Sequence, residues 1–186
     1  MSATSLERLM KRLPNTQPAK DARGFEREWS LAESELGFRL PNDYKDFICT
    51  YGGGGINIED YIIVFSPLDA RPKMNLKAAG KSCLESYEFI RSKHPKRRPL
   101  RAHPEQPGVY PWGCSVDGEI FLWLMDGEPA NWCTVVADDG RDCSTIYAGG
   151  FVQFLEAIVN GDLDFSFLPD MASPEVLSLT SLSPSA

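Results

Sequence analysis

Several patterns are missing from this chain, and each absence removes a class of function. No apolar run reaches the roughly 20 residues that a bilayer-spanning helix needs. The first residues, MSATSLERLMKRLP, are charged and amphipathic and lack the apolar centre of a signal peptide. Together these point to a cytoplasmic protein. The five cysteines, Cys49, Cys83, Cys114, Cys133 and Cys143, are odd in number and contain no C-x-x-C pair. They read as reduced, mostly buried thiols, neither a disulfide framework nor a zinc site. Histidine is scarce too. His94 and His103 both lie in a basic, proline-rich stretch, away from any obvious acid or thiol partner in sequence. No metal, no cofactor and no catalytic residue is therefore expected, with only a triad assembled in space left open.

The glycine run Gly52 to Gly55 raises the question of a phosphate loop. Such a loop follows a strand, opens a helix and closes on Lys-Ser/Thr, so that backbone N–H groups and an ammonium converge on the phosphate. Here the order is reversed: a helical pattern precedes the glycines, a strand pattern follows, and Ile56 and Asn57 stand where Lys and Ser would. The run reads as a helix stop. GCSVDG around Ser115 lacks the second glycine of a nucleophile elbow and falls in a hairpin. DDGRD lacks the alternating acids and distant Glu of a calcium loop.

What the chain does have is acid. Its 186 residues carry a formal net charge of −7. RSKHPKRRPLRAH, residues 91–103, holds six Lys or Arg and no acid, so the remainder is more acidic still. An acidic body disfavours nucleic acid and steers a cationic protein partner. The basic stretch has no aromatic between Arg91 and Ala102 to stack on bases. It reads as a solvated loop, or as one folded onto the acidic body. Glu59, Asp60, Asp117, Glu119, Asp126, Glu128, Asp138 and Asp139 are the candidate partner-binding residues, chosen for charge and expected exposure. Against them stands the plainer reading that Asp is common in turns. Trp112, Trp123 and Trp132 could line a ligand pocket, but on alternating strands they read as core.

Leu6, Leu9, Met10 and Leu13 share one face of a short helix closed by Pro14, either a docking segment or a mobile arm. Phe25, Trp29, Ala32 and Leu36 mark a second helix ending at Gly37. Tyr44, Phe47, Ile48 and Tyr51 mark a third, with Pro41 expected at its first helical position and Asp43 and Asp46 suiting its dipole. YIIVF, 61–65, reads as a strand. Leu76, Ala79, Cys83, Leu84, Tyr87 and Ile90 mark a fourth helix. From residue 108, Asp-Gly steps between apolar runs predict successive hairpins and an antiparallel meander. GGFVQFLEAIVNGDL closes the chain's body with a helix whose Phe151, Phe154, Leu155 and Ile158 face inward. The expected organisation is a helical segment at 1–20, one domain at 21–168 with a basic connection at 91–107, and a Ser/Pro/Thr-rich, disordered tail at 169–186.

The stretch WSLAESELGFRLPNDYKDFICTYGGG resembles the signature of the SUKH superfamily. YPWGCSVDGEIFLW is similar to that family's second, glycine-marked block, and FVQFLEAIVNG to its closing helix. The resemblance runs from about Phe25 to Asp164. It implies an α+β fold, a curved, mainly antiparallel sheet packed by helices. It carries over no catalytic set: Trp29, Gly37, Leu40, Pro41, Tyr44, Gly52, Gly53, Trp112, Gly113 and Gly118 have jobs of packing, capping and turning. It also implies a protein-binding role. Many bacterial members are immunity proteins that neutralise toxin domains, often nucleases, while fungal relatives regulate cell-wall synthesis and signalling. The expected partner is thus a cationic toxin domain, with no nucleic acid and no membrane, and the alternative is an envelope or stress-signalling adaptor. The 91–107 connection and the N-terminal helix depart from the simplest members.

Overall fold

The computed structural model describes residues 4–13, 26–56, 62–138, 144–163 and 179–180. The expected helices form where the apolar spacing puts them: α1 (Ser5–Arg12), α2 (Glu26–Leu36), α3 (Asn42–Tyr51), α4 (Leu76–Lys93) and α5 (Phe151–Asn160). Phe25 and Tyr61, expected at the start of a helix and of a strand, lie outside the described residues. In α3 the four predicted apolar residues, Tyr44, Phe47, Ile48 and Tyr51, are all buried. Pro41 sits one position earlier than expected, at the cap, with the extended ψ of 140° that a residue outside the helix adopts. Gly52, at φ 77°, ends α3 by letting its N–H reach the carbonyl of Ile48 (2.8 Å). Gly54, Gly55 and Ile56 then form β1, so the glycine run does stop a helix and turn the chain into a strand.

The strands are β1 (Gly54–Ile56), β2 (Ile62–Val64), β3 (Arg101–Ala102), β4 (Gly108–Ser115), β5 (Ile120–Met125), β6 (Cys133–Ala137), β7 (Ser144–Tyr147) and β8 (Leu179–Thr180). They make one open, curved sheet in the order β7-β6-β5-β4-β2-β1-β8, antiparallel throughout, with β3 parallel to the start of β4. The β4-β5-β6-β7 meander is the one that the Asp-Gly steps predict. Two features were not expected. The C-terminal stretch read as structureless contributes β8, which pairs Leu179 with Ile56 and Thr180 with Gly55. The apolar run IFLWLM in β5 is buried on both faces of the sheet. On one face Phe121 and Trp123 join Trp112, Tyr44, Phe151 and Phe154 under α3 and α5. On the other, Ile120 and Leu122 join Val109 and Val135 under Tyr87 of α4.

Of the two roles open to the N-terminal helix, docking is the one adopted. Leu9 and Leu13 are buried in the core, and Arg12 reaches the carbonyl of Val159 in α5 (3.2 Å). Arg8 bonds the Glu156 carboxylate and holds it below the usual carboxylate range.

At Gly113, beside a bulge in β4, an added Cβ would collide with the backbone carbonyl oxygen of Ile63 in β2. Backbone cannot swing aside as a side chain can. Gly113→Ala should therefore cost about 2 kcal/mol of unfolding free energy, read as a lower urea midpoint.

Candidate binding surface

The candidate acidic residues do not share one face. Asp117 is exposed in the β4–β5 turn, at one end of the meander. Asp126 and Glu128 are exposed after β5, at the opposite end. The six-residue strand between them, at about 3.4 Å per residue, separates the two groups by roughly 17–20 Å. Glu119 and Asp138 were expected on the surface and are buried instead, 6% and 7% exposed. Glu119 folds back on the turn, accepting a hydrogen bond from the Ser115 hydroxyl, whose oxygen in turn accepts the Glu119 N–H (3.0 Å). Asp138 directly follows β6 and lies beside the turn, because Ala137 pairs with Ile120. Glu59, Asp60 and Asp139 lie outside the described residues.

The Asp126–Glu128 end borders a concavity that charge counting did not reveal. A depression of about 360 Å³ lies where Ser5 of α1 and its cap Thr4, Asn42, Asp43 and Asp46 of α3, and Val152 of α5 and its cap Gly150 meet. Beside it, sharing Asn42 and Ala130, is a second depression of about 200 Å³ lined by Arg39, Lys45, Glu128 and Pro129. The N-termini of α1, α3 and α5 thus converge on one hollow. Asp43 joins two of them: its carboxylate accepts the N–H of Val152 in α5 (3.1 Å) and of Tyr44 (2.8 Å). Burial pushes its pKa up, against those hydrogen bonds. The bases here are paired, Lys45 with Glu33 (2.5 Å) and Arg39 with Glu128 (3.3 Å), while Asp46 is exposed. Asp43 and Asp46 were legible in sequence as dipole partners; their place in a groove depends on α1 and α5, far away in the chain.

The basic stretch is folded onto the body. Arg91 and Lys93 end α4, and Arg98 is fully buried beneath the sheet end. His103 packs edge-on against Phe38 (5.1 Å between ring centroids) and Tyr110 (6.1 Å), and burial lowers its pKa. Trp112, Trp123 and Trp132 are core residues. Among the described residues, no helix is long and apolar enough to cross a membrane, and no group of three or more His, Cys, Asp or Glu side chains could hold a metal ion.

Trp29 and Trp112 in the core, Gly52 at the end of α3 and Gly113 beside the β4 bulge are among the residues on which the resemblance rested. Residues 26–155 match the family model SUKH_6, described as SMI1-KNR4 cell-wall. The chain belongs to the SUKH superfamily. Comparison with curated proteins and with solved structures gives no match. The match to the SUKH model begins with α2 and ends within α5, so it contains both covered faces of the sheet, while α1 and β8 lie beyond it.

Proposed function

We propose that this SUKH domain is a non-catalytic cytoplasmic binder, an immunity protein that neutralises a cationic toxin domain by covering it. The observation that carries this reading is the groove at the α1, α3 and α5 N-termini, lined by Asp43 and the exposed Asp46, with Glu128 on the adjoining depression and exposed Asp126 two residues from it. Exposed rim charges set association rate and salt dependence, and a concavity next to them supplies shape for a buried anchor. Asp117, at the other end of the sheet, belongs to a different surface and serves as the control.

The test is to look for a toxin gene beside this one and to measure binding to the toxin domain that it encodes. Reversing Asp126 and Glu128 to lysine should lower the association rate roughly 10- to 100-fold at low salt and flatten its salt dependence. Asp117→Lys should leave both within about two-fold. Unchanged binding in the double variant would remove the electrostatic part of the reading. The cell-wall description of the matching family favours a second reading, an adaptor in envelope or stress signalling. Affinity capture that returns envelope proteins, with no neighbouring toxin gene, would move the assignment there.

A further inference from the structure

Two cysteines that stand far apart in sequence are brought together by the packing of α4 on β4. Cys83 lies on α4 and Cys114 on β4, and the two thiols come near enough for each to shift the other's ionisation. Both are partly buried rather than sealed in the core, and both line an open depression of about 360 Å³ that also holds Lys73, Ser82 and Pro72. One turn before Cys83, Gly80 allows this close approach: a Cβ there would press on the ring of Tyr110 at 3.0 Å. Cys49 and Cys133 are also free and partly exposed.

We propose that Cys83 and Cys114 are a peroxide-oxidised thiol pair that closes to a disulfide and pins α4 to β4. The two thiols divide the work. Their proximity favours the Cys83 thiolate and disfavours that of Cys114. The Cys83 thiolate attacks a hydroperoxide oxygen. An S–O bond forms and the O–O bond breaks, and the departing alkoxide or hydroxide takes a proton to leave as alcohol or water. The Cys114 sulfur then attacks the Cys83 sulfenic acid, an S–S bond forms, and the hydroxyl leaves as water with the Cys114 proton. Two thiols have lost two electrons and one hydroperoxide has gained them.

The experiment treats the folded full chain with stoichiometric hydrogen peroxide, blocks remaining thiols, and maps peptides without reduction. A Cys83–Cys114 cross-linked peptide, removed by dithiothreitol, is expected as the main product, with Cys49 and Cys133 still alkylated. Closing a loop of roughly 30 residues in the native geometry should raise Tm by roughly 5–10 °C. Cys114→Ser should stop at a Cys83 sulfenic acid that dimedone traps, and Cys83→Ser should slow oxidation of Cys114 at least about ten-fold. Absence of the cross-link in the unmodified chain, oxidation spread evenly over the cysteines, or a cross-linked form with lowered Tm would each overturn the proposal. The wild-type map decides this whether or not either variant folds.

Discussion

Trp112→Ala is expected to lower the unfolding free energy by about 3–5 kcal/mol, the largest effect of any truncation proposed for this chain. Trp112 is fully buried on the sheet face that α5 covers. It stacks on Phe121 across the β4–β5 pair (5.2 Å between centroids, 20° between planes). Phe151 and Phe154 of α5 meet it edge-on at 4.8 Å and 5.9 Å. Removing the indole opens a cavity between sheet and helix that three rings from two elements cannot close together. Yet among the described residues no acceptor reaches its buried Nε1. Trp112→Phe keeps most of the ring contact and sheds that uncompensated donor, so it should cost only about 1 kcal/mol. Urea unfolding of both variants at unchanged m-value checks the pair. Equal losses would mean that the indole N–H, not ring volume, holds the site.

The same tryptophan shows which parts of the fold could be read early. Trp112 follows the Val109–Tyr110 pattern and precedes an Asp-Gly step, so its hairpin was legible from local turn chemistry. The four apolar residues of α3 and the inward face of α5 were legible because helical spacing is a local property. Burial of β5 on both faces was not, since it depends on α4, which precedes the meander in sequence but covers its back. β8 was missed for another reason. Leu177-Ser178-Leu179-Thr180 alternates with period two, a strand signal masked by the Ser-rich composition around it, and only the open edge of β1 supplies a partner. Charge misled most. Glu119 was chosen for charge and expected exposure, but its bonds with Ser115 turn it inward. The groove required three helix N-termini from distant segments, and no local pattern announces such a meeting.

Arg98 is where that lesson has its largest energetic consequence. The segment from 91 to 103 reads as a run of interchangeable positive charges, but the structure divides it. Lys93 and Lys96 are exposed, while Arg98 has no exposed surface at all. Its Nη1 donates to the backbone carbonyls of Asp138 (3.1 Å) and Arg97 (3.2 Å). Its guanidinium lies 5.8 Å from the ring centroid of Tyr87, on the α4 face of the sheet. The flat guanidinium can lie beside the Tyr87 ring while its Nη1 donates to both carbonyls. Arg98→Ala should therefore cost about 3–4 kcal/mol, through lost packing and through carbonyls left without a donor. Arg98→Lys should recover less than half of this, because the ammonium is more strongly hydrated and has no flat face to lay beside the Tyr87 ring. Lys96→Ala, two residues away, should fall within about 0.5 kcal/mol of the parent. Chemical unfolding of the three variants side by side reads the contrast. If Arg98→Ala matched Lys96→Ala, the connection would be a solvated loop after all, and the α4 layer would have to be anchored elsewhere.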